Sequence, residues 1–234
     1  MRQSDVMVYL MTGFLDSGKT QFLTFTLEQD YFQIQGKTLL ILCEEGEEEY
    51  DPKEMLKYGV VIEKVEDKED LTEAWLEEMN RKHKPERVVV EYNGMWPVSD
   101  FEKLALPAGW KIEQKIATVD ASTFQIYLTN LKPLFVEMVK GAELVLFNRC
   151  EDRGPLAGYR RSVKVVSPQA EVIFEDENGE VDNIFEDEVP YDLNAPVIEI
   201  RREDYGIWYV DMMENPDRYK GCLLYTSPSP RDCS

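Results

Sequence analysis

The sequence predicts an α/β fold of the doubly wound type, built on a mostly parallel sheet. Apolar runs that read as strands alternate along the chain with segments of helical spacing. The strand runs are apolar through their middles rather than alternating, the pattern of strands covered on both faces. The first run leads at once into a glycine-bearing turn and then a helix, which is how a strand feeds a crossover.

Taken in order, Val6 to Met11 is the first strand, and Phe22, Leu23, Phe25 and Leu27 give the helix after it. Thr38 to Cys43 reads as a second buried strand, followed by an acidic cluster of Glu44, Glu45, Glu47, Glu48, Glu49 and Asp51. Leu71, Ala74, Trp75 and Met79 recur at helical spacing, and Arg87 to Glu91 returns to strand. Ile116 to Val119 is a further strand, and one long amphipathic stretch follows with Phe124, Tyr127, Leu128, Leu131, Phe135 and Met138 on a common face. Leu144 to Phe147 and Val172 to Phe174 complete the set. From Glu175 to Glu188 the chain turns acidic around an Asn178-Gly179 turn, and beyond Pro190 both Val197 to Ile200 and Ile207 to Val210 read as strands. A boundary is placed near Glu188, giving a first domain over 1–188 and the start of a second, truncated module over 189–221.

The 234 residues are 43% hydrophobic, enough for one ordinary core and against global disorder. The formal net charge of -20 and a pI near 4.5 repel nucleic acid and anionic membranes as general partners, while one local basic group and backbone amides could still hold a compact anion. No run approaches the roughly 18 apolar residues of a membrane span, and the opening stretch breaks too soon for a signal peptide, so a cytoplasmic protein is expected. Cys222 to Asp232, CLLYTSPSPRD, resembles the translation of a transposon-type sequencing adapter, and 222–234 is read as a read-through scar. Cys43 and Cys150 remain, expected as reduced thiols rather than a disulfide. The single histidine, His83, sits between lysines where a solvated helix end is expected, and the four tryptophans read as packing residues.

Gly13-Phe-Leu-Asp16-Ser17-Gly18-Lys19-Thr20 matches G-x-x-x-x-G-K-[ST] between a strand and a helix, the context a phosphate-binding P-loop requires. Glycines let the loop fold back so that successive N–H groups face phosphate oxygens, and the helix N-terminus, from Lys19 through Gln21, adds its partial positive charge. Lys19 would reach the β and γ phosphates, and Thr20 would offer its hydroxyl to Mg²⁺. Glu91, closing its strand three residues before Gly94, supplies the carboxylate such a metal needs. The fold expectation sharpens accordingly to a P-loop NTPase type.

These residues resemble the opening of the CobW/HypB/UreG-type P-loop GTPases, a group that includes nickel, cobalt and zinc metallochaperones. The resemblance continues from Cys43-Glu-Glu-Gly46 through Asp51, matching N-E-x-G-E-x-G-x-D, to Glu91-x-x-Gly94, Val119-Asp120-Ala121 and Ser167-Pro168-Gln169-Ala170, and spans about Val6 to Phe185. Asn148-Arg149-Cys150-Glu151 falls where the family's guanine-reading N-K-x-D sits, which implies base contacts from Asn148, Arg149 and Glu151. It implies a GTP/GDP-binding protein with Mg²⁺, a slow GTPase in metal homeostasis, and a metalloprotein or transporter as client.

Departures are equally visible. The family's C-x-C-C would lie between Asp51 and Glu91, where this chain has no cysteine. Arg149 replaces lysine and Glu151 replaces aspartate in the base motif. The acidic cluster reads either as a solvated loop or as a switch in which Glu44 and Asp51 approach Mg²⁺ or a second metal, Zn²⁺ or another transition ion, with Cys43 offered as thiolate. A nucleotide-gated scaffold without hydrolysis and an ATP-using P-loop enzyme stand as alternatives. The 189–221 segment resembles the C-terminal module of bacterial proteins encoded near predicted permeases. Neither the client nor the oligomeric state is specified.

Overall fold

The computed structural model describes residues 5–46, 48–181, 189 and 191–226. In chain order the elements are β1 (Val6–Thr12), α1 (Lys19–Glu28), β2 (Thr38–Leu42), α2 (Pro52–Lys57), β3 (Val60–Lys64), α3 (Glu73–His83), β4 (Arg87–Glu91), α4 (Val98–Glu102), β5 (Trp110–Asp120), α5 (Ala121–Asn130), α6 (Lys132–Val139), β6 (Leu144–Asn148), α7 (Leu156–Val166), β7 (Glu171–Asp176) and β8 (Gly179–Glu180). Beyond them lie β9 (Val197–Ile200), α8 (Tyr205–Glu214) and β10 (Leu223–Thr226).

One sheet takes the order β3-β2-β4-β1-β5-β6-β7-β8, parallel throughout except for the antiparallel β7–β8 pair. The doubly wound α/β prediction is met. Alternate residues of each central strand feed opposite cores. Leu39, Ile41, Val88 and Val90 meet Leu76, Phe124, Phe135 and Leu156 on one face. Leu40, Leu42 and Val89 meet Leu23 and Leu27 of α1 and Met55 of α2 on the other. Fully buried strands lack a polar face, which is why they read as continuous apolar runs. Register gathers the functional ends: Glu91 lies opposite Met11 and Leu42, and Asp120 opposite Asn148. The chain leaves β1 between β4 and β5, where sequence order reverses and ligands of open α/β sheets bind.

Several expectations are corrected. Ile207 to Val210 is not a strand but part of α8, because Trp208 and Met212, four apart, pack one helical face onto Ile198, Ile200 and Tyr219. The long amphipathic stretch divides into α5 and α6 at Leu131, with Pro133 in the first turn of the second helix, where its missing N–H costs nothing. The fourth predicted strand begins six residues earlier, at Trp110 rather than Ile116. His83 is not solvated: its side chain is 14% exposed and its Nε2 lies 2.6 Å from Glu63 Oε1. The edge strand β3 and the short α2 went unread.

The boundary near Glu188, together with Phe185, Pro190 and Glu47, lies outside the described residues. β9 forms as predicted and pairs in parallel with β10, whose residues fall in the segment read as a scar. Among the described residues no helix is long and apolar enough to cross a membrane.

Candidate functional site

The turn from β1 to α1 is shaped by glycines. Gly13 has φ 151°, and a Cβ there would come within 2.4 Å of Ser17 Oγ and 2.6 Å of Thr118 Oγ1. Gly18 holds φ 87°, a left-handed conformation, and begins α1 without a side-chain cap. Ser17 Oγ is locked to Thr118 Oγ1 at 2.9 Å, which fixes the loop against β5. Gly94 completes the wall from β4, since a Cβ there would sit 2.3 Å from the Gly13 carbonyl oxygen and 2.8 Å from Phe14 Cα. The E-x-x-G spacing is therefore a demand for close backbone approach.

Lys19 is 4% exposed and donates to the carbonyls of Gly13 and Phe14, each at 2.9 Å. Its remaining partner is Glu44 Oε2 at 2.5 Å, and the amide of Gly94 donates to the other Glu44 oxygen at 3.4 Å. The ammonium thus faces an anion already. Thr20 Oγ1 donates to Glu91 Oε1 at 2.8 Å, and the hydroxyl of Tyr50 donates to Glu91 Oε2. Glu91 is 2% exposed, and its burial pushes its pKa up, opposed by the hydrogen bonds from Tyr50 and Thr20 and by the charge of Lys19. Tyr50 is pushed up as well, by burial and by the charge of Glu91, so it holds its proton and donates it.

A cavity of about 70 Å³ lies over the loop, bounded by Asp16, Gly18, Lys19, Thr20, Glu44, Glu91 and Arg149 among others. Glu44 thus occupies the side of Lys19 that faces this cavity.

The residues expected to read the base are arranged differently. Asn148 Nδ2 donates to the Ser17 carbonyl at 2.8 Å, while its Oδ1 is buried with no partner. Arg149, at φ 53°, donates to the Asp16 carbonyl at 2.9 Å and to Asp120 Oδ2 at 2.6 Å. Asp120 also caps α5 through the Ser122 amide. Gln21 and Glu151 are exposed, and Gln21 lines a groove shared with Gly18 and Asn148.

Not every expected ligand joins the cavity. Asp51 Oδ1 accepts from the amides of Lys53 and Glu54, so its carboxylate caps α2. Cys43 is buried, and desolvation with the nearby charges of Glu91 and Glu44 raises its thiol pKa, so a ready thiolate is not what the fold provides. Cys150 is buried and pushed up to about 11, chiefly by desolvation. These two cysteines follow β2 and β6, four strand spacings apart, or about 19 Å at ~4.8 Å per spacing. They do not share a metal site. Among the described residues no group of three His, Cys, Asp or Glu is placed to hold a metal ion. Tyr50 was missed altogether: it lies 41 residues from Glu91, and its neighbourhood in sequence reads only as acidic loop.

A parallel sheet with a glycine loop, a buried lysine and a Thr–carboxylate pair at its switch point defines a nucleotide-binding domain of the P-loop class. The profile of the CobW/HypB/UreG nucleotide-binding domain matches residues 7–174, and the chain belongs to that family. No functionally curated protein matches it. Among solved structures, hydrogenase maturation factor HypB from Archaeoglobus fulgidus superposes with a TM-score of 0.50 at 19% identity, over 74% of this chain and 82% of that one. The Zn(II)-bound YjiA GTPase from E. coli superposes with a TM-score of 0.54 at 22% identity, over 77% of this chain. This chain spans 60% of the YjiA length. At these identities the likeness concerns the fold.

Proposed function

We propose that the protein is a Mg²⁺-dependent GTP-binding protein and a slow GTPase of the metallochaperone type, acting in metal homeostasis on a metalloprotein or transporter client. The observation that carries the reading is the pairing of Thr20 with the buried Glu91 carboxylate beside Lys19 in a glycine-built anion cradle. A hydroxyl and a carboxylate are hard oxygen donors of the kind Mg²⁺ takes, so the residues fit the metal. Bound there by Thr20 and Glu91, Mg²⁺ would neutralise charge on the β and γ phosphates.

Lys19, released from Glu44, would bind the same oxygens, and the loop amides with the α1 N-terminus would fix the phosphate chain. A water oxygen attacks the γ phosphorus in line as the bond to the β–γ bridging oxygen breaks, giving GDP, phosphate and a proton. Slow turnover is expected because, among the described residues, the guanidinium bordering the cavity is that of Arg149, held by Asp120 and the Asp16 carbonyl. Asn148, Arg149 and Glu151 are assigned to the guanine base on the family motif they align with. The transition-metal role draws on the family alone, and neither Asp51 nor the thiols add a ligand set to it.

The test is GTP and ATP in direct competition, followed by single-turnover phosphate release with and without Mg²⁺. Preferred GTP binding with slow, Mg²⁺-dependent release supports the reading. Binding without release favours the scaffold, and preference for ATP favours an ATP-using enzyme, which the Arg149 and Glu151 departures leave room for.

A further inference from the structure

We propose that Tyr50 is a positioning residue for the metal carboxylate, its hydroxyl fixing Glu91 so that the opposite oxygen faces Thr20 and the cavity. This deepens the Mg²⁺ reading above and rests on it.

Glu91 is buried at the end of β4, and each of its oxygens takes one hydroxyl: Oε1 from Thr20, Oε2 from Tyr50. The two donors come from separate segments. Thr20 belongs to the first turn of α1 and borders the cavity, whereas Tyr50 stands outside the cavity wall, on the far side of the carboxylate. Any ligand set that recruits Thr20 therefore leaves Tyr50 as the group holding the plane of Glu91.

Tyr50 is itself held rigidly. Its ring packs in the cluster of Met11, Leu42 and Met55, and the next residue, Asp51, caps α2 through the Lys53 amide at 2.8 Å. A phenylalanine would fill the same apolar space, so packing alone does not call for a hydroxyl at a buried carboxylate. Without it, Glu91 Oε2 would lose its donor on a side chain only 2% exposed, and the carboxylate would turn or take a proton. Partners that orient a metal ligand in this way typically contribute about 10- to 100-fold in metal affinity.

The experiment measures binding of fluorescently labelled GTP to the full chain across a Mg²⁺ titration, for wild type, Tyr50→Phe, Tyr50→Leu and Thr20→Ala. Tyr50→Phe is expected to raise the half-saturating Mg²⁺ concentration about tenfold, with GTP affinity in EDTA little changed and a modest fall in the thermal melt from the lost donor. Tyr50→Leu should raise it equally, since both lack the hydroxyl; a shift that grows only with lost melting temperature would overturn the proposal. Adding Glu91→Gln should abolish the Tyr50→Phe effect, and full additivity would contradict coupling through Glu91. An unchanged midpoint in Tyr50→Phe, with a raised one in Thr20→Ala, sinks the role of Tyr50 alone. An unchanged midpoint in both removes the metal reading beneath it.

Discussion

The half of the sheet edge proposed for phosphate and the half proposed for the base are built to different standards. Lys19 and Glu91 are buried and, with Thr20, fully partnered: the ammonium has three acceptors and the carboxylate two hydroxyl donors. Around Asn148 the amide oxygen is buried without a partner, Arg149 is turned toward Asp120, and Glu151 is exposed. The difference teaches which contacts are prebuilt. Phosphate recognition comes from a rigid loop common to many nucleotides, so it can be assembled before any ligand arrives. Around Asn148, by contrast, one buried amide oxygen is left without a partner.

The sharpest way to break the phosphate half is Gly94→Ala. Its Cβ would press on the Gly13 carbonyl and Phe14 Cα, which are backbone atoms and cannot step aside. A loss of about 3 kcal/mol in chemical denaturation is expected, together with loss of nucleotide binding. Glu44→Ala should act with opposite sign on the ligand. It frees Lys19 from its ion pair, so GTP should bind about tenfold tighter by titration calorimetry, a difference of roughly 1.4 kcal/mol. The unliganded protein should melt earlier, because a buried lysine then lacks its counter-charge.

The base half should yield less. Asn148→Ala is expected to reduce the preference for GTP over ATP about fivefold, an effect of roughly 1 kcal/mol. The half-saturating Mg²⁺ concentration should stay where it was. A thiol probe gives the smallest signal. Cys43 and Cys150 have raised pKa values, so at pH 8 both are neutral and their alkylation is slow, accelerating only as pH climbs toward about 11 for Cys150. Mass spectrometry after iodoacetamide should therefore find Cys222 modified first. Rapid modification of Cys43 at pH 8 would mean that it is a thiolate after all.

Much of the phosphate half was legible in the sequence because its constraints are local. Gly13, Gly18, Lys19 and Thr20 lie within eight residues, and the glycines are required by backbone shape. Glu91 and Gly94 were readable as a strand end with a fixed offset. What escaped was tertiary. Tyr50 meets Glu91 across 41 residues, and Glu44, read as a metal ligand, instead faces Lys19. Asp51 misled for a different reason. An aspartate before Pro52 is a helix-capping signal, yet α2 has only six residues and carries too little periodicity to announce itself. Strand β3 hides in Val60-Val-Ile-Glu-Lys64, whose partly buried edge position weakens the apolar run. In α8, β-branched and aromatic residues suggested a strand, but burial at helical spacing decided otherwise.

The central claim is that the β1–α1 loop is a working nucleotide site primed around Lys19. Calorimetric titration with GTP in Mg²⁺, run on the wild-type chain beside folded Lys19→Ala, tests it most directly. Saturable binding by the wild type, weakened about 100-fold or more by the substitution, is the predicted result. A folded wild type that binds no nucleotide, or a Lys19→Ala variant that binds as tightly, would contradict it.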